Sequence, residues 1–488
     1  ALIENGRLLA STASNATLVP GVDAGPREAD VYIDGAWRTI LVGSLRLGGR
    51  GIYALDVTVP LAGGTETSAA AALPMWEFTS GDVASAADDE PCAAGSTSCP
   101  SLGYTYESAN VARLNYVAPS SENSWVALVA SGYFPQDDEV AANPDDITEA
   151  AASRTSLMVI DVQSGRLIRE IRTSDAPQAR PAGFKTFGLS TPVVYDIASD
   201  DIDDLAYAGD LAGNLWRFDL SSPDPDDWTV DLMFTTYGDG GAENVGDQPI
   251  VFNPTALRDF PSRRPIIVVG TGKYLGKEDR TSQIPEQAFY GVRDYGTHPD
   301  GDMYPIRVNQ MVTQVLSEDN TGERQITGWE APTGTVPDDI PPMLMRGTDP
   351  DVPIEEVRAQ GWRIELNIPR ELGERAQRRP IPLFSSNSAV LYTLIPKNDD
   401  PCDPGARYGV MLVNAGTGGA LGAENNIVGQ VPDDPIPEPP ADPTIPRGGG
   451  ALIIPGLTPL LSDEVKQVLN ATIPVWHRGA WRELLDVQ

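Results

Sequence analysis

The chain has 488 residues, with 69 Asp and Glu against 35 Lys and Arg, a formal net charge of −34. Such a surface repels nucleic-acid phosphates and excludes a nucleic-acid-binding role, while favouring solubility, a saline setting or the attraction of cations. No stretch of 18 residues is apolar throughout, so no segment reads as a membrane-spanning helix.

In chain order, the elements read as short strands. They are Val31–Ile33, Trp37–Val42, Ile52–Val57, Trp125–Ala130, Leu157–Val162, Pro192–Asp196, Leu215–Leu220, Ile266–Val269, Ala288–Val292, Trp362–Leu366, Val390–Ile395 and Tyr408–Val413. Each is rich in β-branched or aromatic residues and bounded by Gly, Pro, Asp or Asn. Long amphipathic helices between strands are missing, which argues against a βαβ sheet.

A degenerate repeat runs through them. IYALDVTVP from Ile52, LMVIDVQSGRLIREI from Leu157 and LWRFDLSSPDPDDWTV from Leu215 share one form: apolar-x-x-apolar-Asp-apolar, a turn, then another strand. That form suits the two outer strands of a propeller blade; a generic β-sandwich is the alternative. MWEF at Met75 reads as a blade ending of the same kind.

Four stretches interrupt the strands: 79–102, 136–153, 298–357, and the Pro-rich acidic run QVPDDPIPEPPADPTIPRGGG over 430–450. The last reads as an extended linker or strap. The expected division is a propeller over 1–429, this linker, and a C-terminal extension over 451–488. In the extension, Leu461–Ala471 has helical spacing with Ser462 as N-cap. Cys92 and Cys99 flank a loop of small residues, CAAGSTSC, that suits a disulfide in an oxidising compartment. Zinc is the competing reading, weakened by the absence of a nearby His, and Cys402 has no obvious partner. The start at Ala1, without a signal pattern, is what a processed or shortened chain would show.

Several catalytic readings fail on spacing. GTGKYLGK at Gly270 lacks the Gly and the Ser or Thr of a phosphate loop. LGGRG at Leu47 reads as a turn between strands. The two histidines, His298 and His477, are far apart in sequence, and no nucleophile elbow surrounds any serine.

Five collinear segments carry a family resemblance: DVYIDGAWRTILVGSLRLGGRGIYALDVT from Asp30; LGYTYESANVARLN from Leu102 with WVALVASGY from Trp125; GLSTPVVYDIASDDIDDLAYAGDLAGNLWRFDL from Gly188; VVGTGKYL from Val268 with AFYGVRD from Ala288; and GWRIELN from Gly361, leading to LYTLIPKNDDPC from Leu391 and the terminal WREL from Trp481. In this order they resemble the C-terminal domain of the PilC/PilY pilus proteins, over about residues 28–425. The resemblance implies an all-β, modified quinoprotein-like β-propeller of about seven blades, with long loop insertions and a short C-terminal extension. It also implies a non-enzymatic, exported protein at the cell surface, the pilus tip, the periplasm or the outer membrane. Such a protein would support type IV pilus biogenesis, extension and retraction, and adhesion. Minor pilins or the pilus tip complex, and host or abiotic surfaces, are the implied partners. The family's Asn-Asp-Gly-Met-Leu-His-Ala-Phe-Asp-like strand upstream of the first segment is absent here. The alternatives are a quinoprotein-type dehydrogenase, which would need adjacent cysteines that this sequence lacks, or another ligand-binding propeller.

One loop carries the chemistry. Asp196-Ile-Ala-Ser-Asp-Asp-Ile-Asp-Asp204 places five carboxylates within nine residues between two apolar strands. Calcium takes six to eight oxygens from a compact loop. Read at alternate positions, Asp196, Asp200 and Asp204 are carboxylate ligands of Ca2+ and Ile202 gives its carbonyl. Ala198 stands where the resemblance implies Asp or Asn, so water would fill that position. Asp201 takes the place usual for Gly, where the turn calls for φ > 0, a conformation Asp tolerates. The competing reading is an acidic, solvated hairpin turn.

Overall fold

The computed structural model describes residues 22, 24–58, 74–79, 102–117, 124–133, 155–177, 186–237, 247–260, 262–275, 279, 281–296, 304–347, 353–383, 387–396, 406–421, 426–433, 454 and 457–471. Cys92, Cys99, Cys402, His298, His477, Trp481 and most of the Pro-rich run lie outside these residues. No described helix is long and apolar enough to cross a membrane. The chain divides into two compact units, 1–254 and 255–488.

The first unit is built from three antiparallel four-strand meanders. Strands β1 (Arg27–Ile33), β2 (Ala36–Ser44), β3 (Gly51–Asp56) and β4 (Pro74–Thr79) form the first. Strands β5 (Asn110–Arg113), β6 (Trp125–Ala130), β7 (Ser156–Asp161) and β8 (Leu167–Arg172) form the second. Strands β9 (Val193–Tyr195), β10 (Leu205–Gly209), β11 (Asn214–Asp219) and β12 (Thr229–Thr235) form the third.

The repeat read from the sequence falls on the third and fourth strand of every meander: β3–β4, β7–β8 and β11–β12. Its Asp does the same work each time. Asp56 Oδ1 accepts from the Thr58 amide (3.0 Å) and hydroxyl. Asp161 Oδ1 accepts from the Ser164 amide and hydroxyl, both at 2.7 Å. Asp219 Oδ1 accepts from the Ser221 amide (3.2 Å) and hydroxyl (2.6 Å). Each carboxylate replaces a missing ladder partner where the chain leaves its strand.

Apolar side chains pack between neighbouring sheets. Val31, Ile40, Val42 and Ile52 of the first sheet share a core with Ala127, Val129, Met158 and Ile160 of the second. The opposite face of the second, through Leu128, Leu157 and Val159, packs on Ala206, Ala208, Trp216 and Phe218 of the third. Strands buried on both faces explain the near-continuous apolar runs. Trp76 adds a tie between sheets, its indole N–H donating to Val162 O at 2.8 Å.

In the second unit, β13 (Thr255–Arg258), β14 (Pro265–Gly270) and β15 (Ala288–Arg293) are followed by the two-residue β16 (Ile306–Arg307), β17 (Val312–Glu318), β18 (Glu323–Glu330), β19 (Met343–Met345), β20 (Glu355–Val357), β21 (Gly361–Glu365), β22 (Arg375–Ala376), β23 (Ile381–Leu383), β24 (Ser388–Pro396), β25 (Ala406–Asn414) and β26 (Ile427–Gln430). One sheet runs β13-β14-β15-β21-β17-β18-β26-β25-β24-β22, with β23 also on β24. The pairing of β21 with β17 is parallel; the other pairings of this sheet are antiparallel.

The stretch 298–357, read as an insertion, holds β16 to β20. Gln430, read as the start of the linker, closes β26 against Glu323 and Val410. The helical spacing near the C-terminus forms α1 (Asp463–Ala471). Ser462 Oγ accepts from the Val465 amide at 3.2 Å, the N-cap bond. Val465, Val468 and Leu469 pack on Val390, Tyr392, Val410 and Leu412.

Candidate functional site

The acidic loop joins β9 to β10. The last ladder pair before it is Tyr195↔Leu205, so nine residues close on one rung. The Asp204 amide donates to Tyr195 O at 3.2 Å. A second tether comes from β5: the Asp203 amide donates to Arg113 O at 2.7 Å, and the Arg113 amide donates to Asp203 Oδ2 at 3.2 Å.

Two of the three expected carboxylate ligands turn inward. Asp196 accepts from the Ser199 amide through Oδ1 and from the Asp201 amide at 2.9 Å through Oδ2. Asp204 Oδ2 accepts from the amides of Ile197 (3.0 Å) and Ala198 (3.3 Å). Asp200 sits at the apex, its Oδ1 taking the Ile202 amide at 3.1 Å. Asp201 has the expected left-handed backbone, φ 64°, and Ser199 adopts a second one, φ 60°. Among the described residues, no three His, Cys, Asp or Glu side chains stand as a ready-made metal cluster.

The charge in this loop is not balanced. Burial pushes Asp203 up to about 6; the neighbouring Asp196 and Asp204 charges add to this and the Arg113 amide opposes it. Burial also raises Asp204, the Ile197 and Ala198 amides oppose the rise, and Asp196 and Asp200 add to it. A carboxylate offers about four lone-pair sites, so one that accepts amides keeps capacity for a cation. The amides of the loop reach Asp200 through Oδ1 and Asp204 through Oδ2. All donors here are hard oxygens, the set that suits Ca2+. The donor chemistry of Asp196, Asp200, Asp204 and the Ile202 carbonyl is of the kind such an ion takes, with no side-chain oxygen from Ala198, but the three carboxylates are not gathered into a cluster.

A second acidic residue, close by in sequence, does other work. Asp210 is fully buried. Its Oδ2 accepts from Thr186 Oγ1 (2.9 Å), Asn214 Nδ2 (2.8 Å) and Trp216 Nε1 (2.9 Å), and its Oδ1 accepts from the Asn214 amide (2.9 Å). Burial pushes it up to about 6 despite these four donors. The sequence reading passed over it, although Asp210-Leu-Ala-Gly-Asn-Leu-Trp216 carries the signal of a turn lock.

Residues 10–324, more than half of the chain, match the family model of the PilY1 beta-propeller domain. The chain belongs to this family. The type IV pilus biogenesis factor PilY1 of Pseudomonas aeruginosa UCBPP-PA14 is 29% identical over 436 residues, covering 82% of this chain and 31% of its own. A PilY1 homologue from Xylella fastidiosa is 26% identical, covering 83% of this chain and 23% of its own. The chain thus spans less than a third of the length of these PilY1 relatives. The crystal structure of the P. aeruginosa PilY1 C-terminal domain superposes with a TM-score of 0.59 at 22% identity, covering 89% of this chain and 83% of that one. The all-β propeller expected from the resemblance is the fold of this PilY1-family chain, and these relatives are named as pilus biogenesis factors, not as enzymes.

Proposed function

We propose that this chain is the calcium-responsive interaction module of an exported type IV pilus protein, located at the pilus tip or cell surface, and has no catalysis of its own. The membership of the PilY1 propeller family carries this reading. The β9–β10 loop supports the metal role: burial raises Asp203 and Asp204, the neighbouring carboxylates add to the rise, and a divalent ion at Asp196, Asp200, Asp204 and the Ile202 carbonyl would relieve that repulsion. Metal occupancy then orders the loop and the surface beside it, so that binding of a minor pilin or a substratum has two states.

The test is cosedimentation of the purified chain with sheared type IV pili or with purified minor-pilin complexes. The expected result is association in calcium that is lost in EGTA. Failure to associate in either condition contradicts the pilus role, and equal association in both contradicts the calcium dependence.

A further inference from the structure

The second unit buries an ionic cluster that the pilus reading does not use. Glu318 ends β17, Arg324 lies in β18, Glu371 and Glu374 lie in the turns after β21, and Arg407 lies in β25. The side chains of Glu318, Glu371, Glu374 and Arg324 are at most 1% exposed, and that of Arg407 is 14% exposed. Arg324 clamps Glu374 with two bonds, 2.7 and 2.8 Å, and donates from Nε to Glu318 Oε2 at 3.0 Å. Arg407 holds Glu371 Oε2. At the rim, Arg370 pairs with Asp433, which follows β26. Asp319 also faces Arg370, but its carboxylate is spent on Thr321 and on the Glu323 amide.

Two oxygens are left over. Glu318 Oε1 and Glu371 Oε1 are both buried and neither has a hydrogen-bond partner. Both oxygens lie beside the same side-chain nitrogen, Arg370 Nε, which places the two carboxyls next to each other. Arg370 Nε stands 3.2 Å from Glu371 Oε1 and 3.8 Å from Glu318 Oε1, as an ion-pair neighbour of both. Two acceptors cannot face each other in a dry interior without a donor between them. The charges say what that donor is. The buried set has three carboxylates and two guanidinium groups, and the rim pair Arg370–Asp433 is already neutral. One proton balances the cluster and bridges the facing oxygens.

We propose that Glu318 keeps a proton at neutral pH and holds it against Glu371, and that this contact is a pH-operated fastener joining the β17–β18 hairpin to the turns after β21 and to β25. Above neutrality the proton leaves to water, two buried anions face each other, and the fastener loosens. Burial, opposed by Arg324 and reinforced by the Glu371 charge, pushes Glu318 up to about 7 from 4.5. The folded chain therefore keeps a proton that the unfolded chain releases. Stability from this pair is complete below about pH 4.5 and is lost as pH rises through about 7.

Two measurements on the full chain test this. The first is urea unfolding between about pH 6 and 8 for wild type, Glu318→Gln and, as a control outside the cluster, Asp338→Asn, whose carboxylate is fully exposed. A neutral Gln can donate to Glu371 and stands in for the proton. The folded-to-unfolded ratio is expected to fall with pH by up to about tenfold per unit more steeply in wild type and Asp338→Asn than in Glu318→Gln. Equal slopes in all three overturn the proposal. The second compares infrared difference spectra taken between about pH 6.5 and 8.5: wild type is expected to lose a protonated carboxylic acid C=O band beyond what Glu318→Gln loses through Asp203 and Asp210. No such loss overturns the proposal.

Discussion

At the scale of single residues, aspartate is used in this fold in three ways. Asp56, Asp161 and Asp219 close turns at the ends of strands, each by accepting from a nearby amide and hydroxyl. The Asp196–Asp204 set crowds charge into one exposed loop. Asp210 is buried and holds together Thr186, Asn214 and Trp216. The first use was legible in the sequence because the same local chemistry recurs at matching points of a repeat. The loop was legible because carboxylates at alternate positions are rare between apolar strands. Asp210 was not, since one of its donors lies 24 residues upstream. Replacing it tests that role. In Asp210→Asn an amide NH2 must face groups that themselves donate, so unfolding free energy should drop by about 2 kcal/mol in urea titrations at neutral pH. The carboxyl also has a pH signature. Folding raises it from 3.8 to about 6, so the part of the stability that comes from holding a proton is present below about pH 4 and is lost as pH rises through about 6, while the accepted hydrogen bonds remain. Asp210→Asn should remove that part of the slope, and an unchanged slope would refute the assignment.

At the scale of elements, the strands buried on both faces were the ones the sequence announced. β6, β7, β14 and β15 are apolar almost throughout, and their burial is continuous. β17 and β18 were passed over because they alternate. Val312, Gln314 and Leu316 face inward while Val315 is exposed, and a half-polar strand beside acidic turns reads as loop until its partner is known. The inward Gln314 is satisfied by Thr417 O at 2.6 Å, a contact more than a hundred residues away. The turn between β10 and β11 shows how tightly an element end is specified. Gly213 has φ 90°, and a Cβ there would sit 2.2 Å from Thr236 Oγ1 and 2.9 Å from Gln248 O. Gly213→Ala combines a left-handed backbone with a clash against a main-chain atom. It should cost about 2 kcal/mol or more by thermal or urea unfolding, whereas Gly35→Ala, in open space at φ 72°, should cost about 1 kcal/mol.

At the scale of the whole molecule, the net charge of −34 sets a negative potential that concentrates divalent cations near every acidic loop. Bulk acidity alone therefore produces weak, salt-sensitive, unsaturated cation binding. A built site differs in being saturable, one per chain, and in depending on particular residues. Whether the β9–β10 loop stands apart from its surroundings in this way is decided by calorimetric titration of calcium at fixed ionic strength into the wild type and into Asp200→Ala. The prediction is one saturable site in the wild type, at least tenfold weaker or absent in Asp200→Ala, with both proteins unfolding at the same temperature in EGTA. Superimposable isotherms for the two proteins would contradict the account.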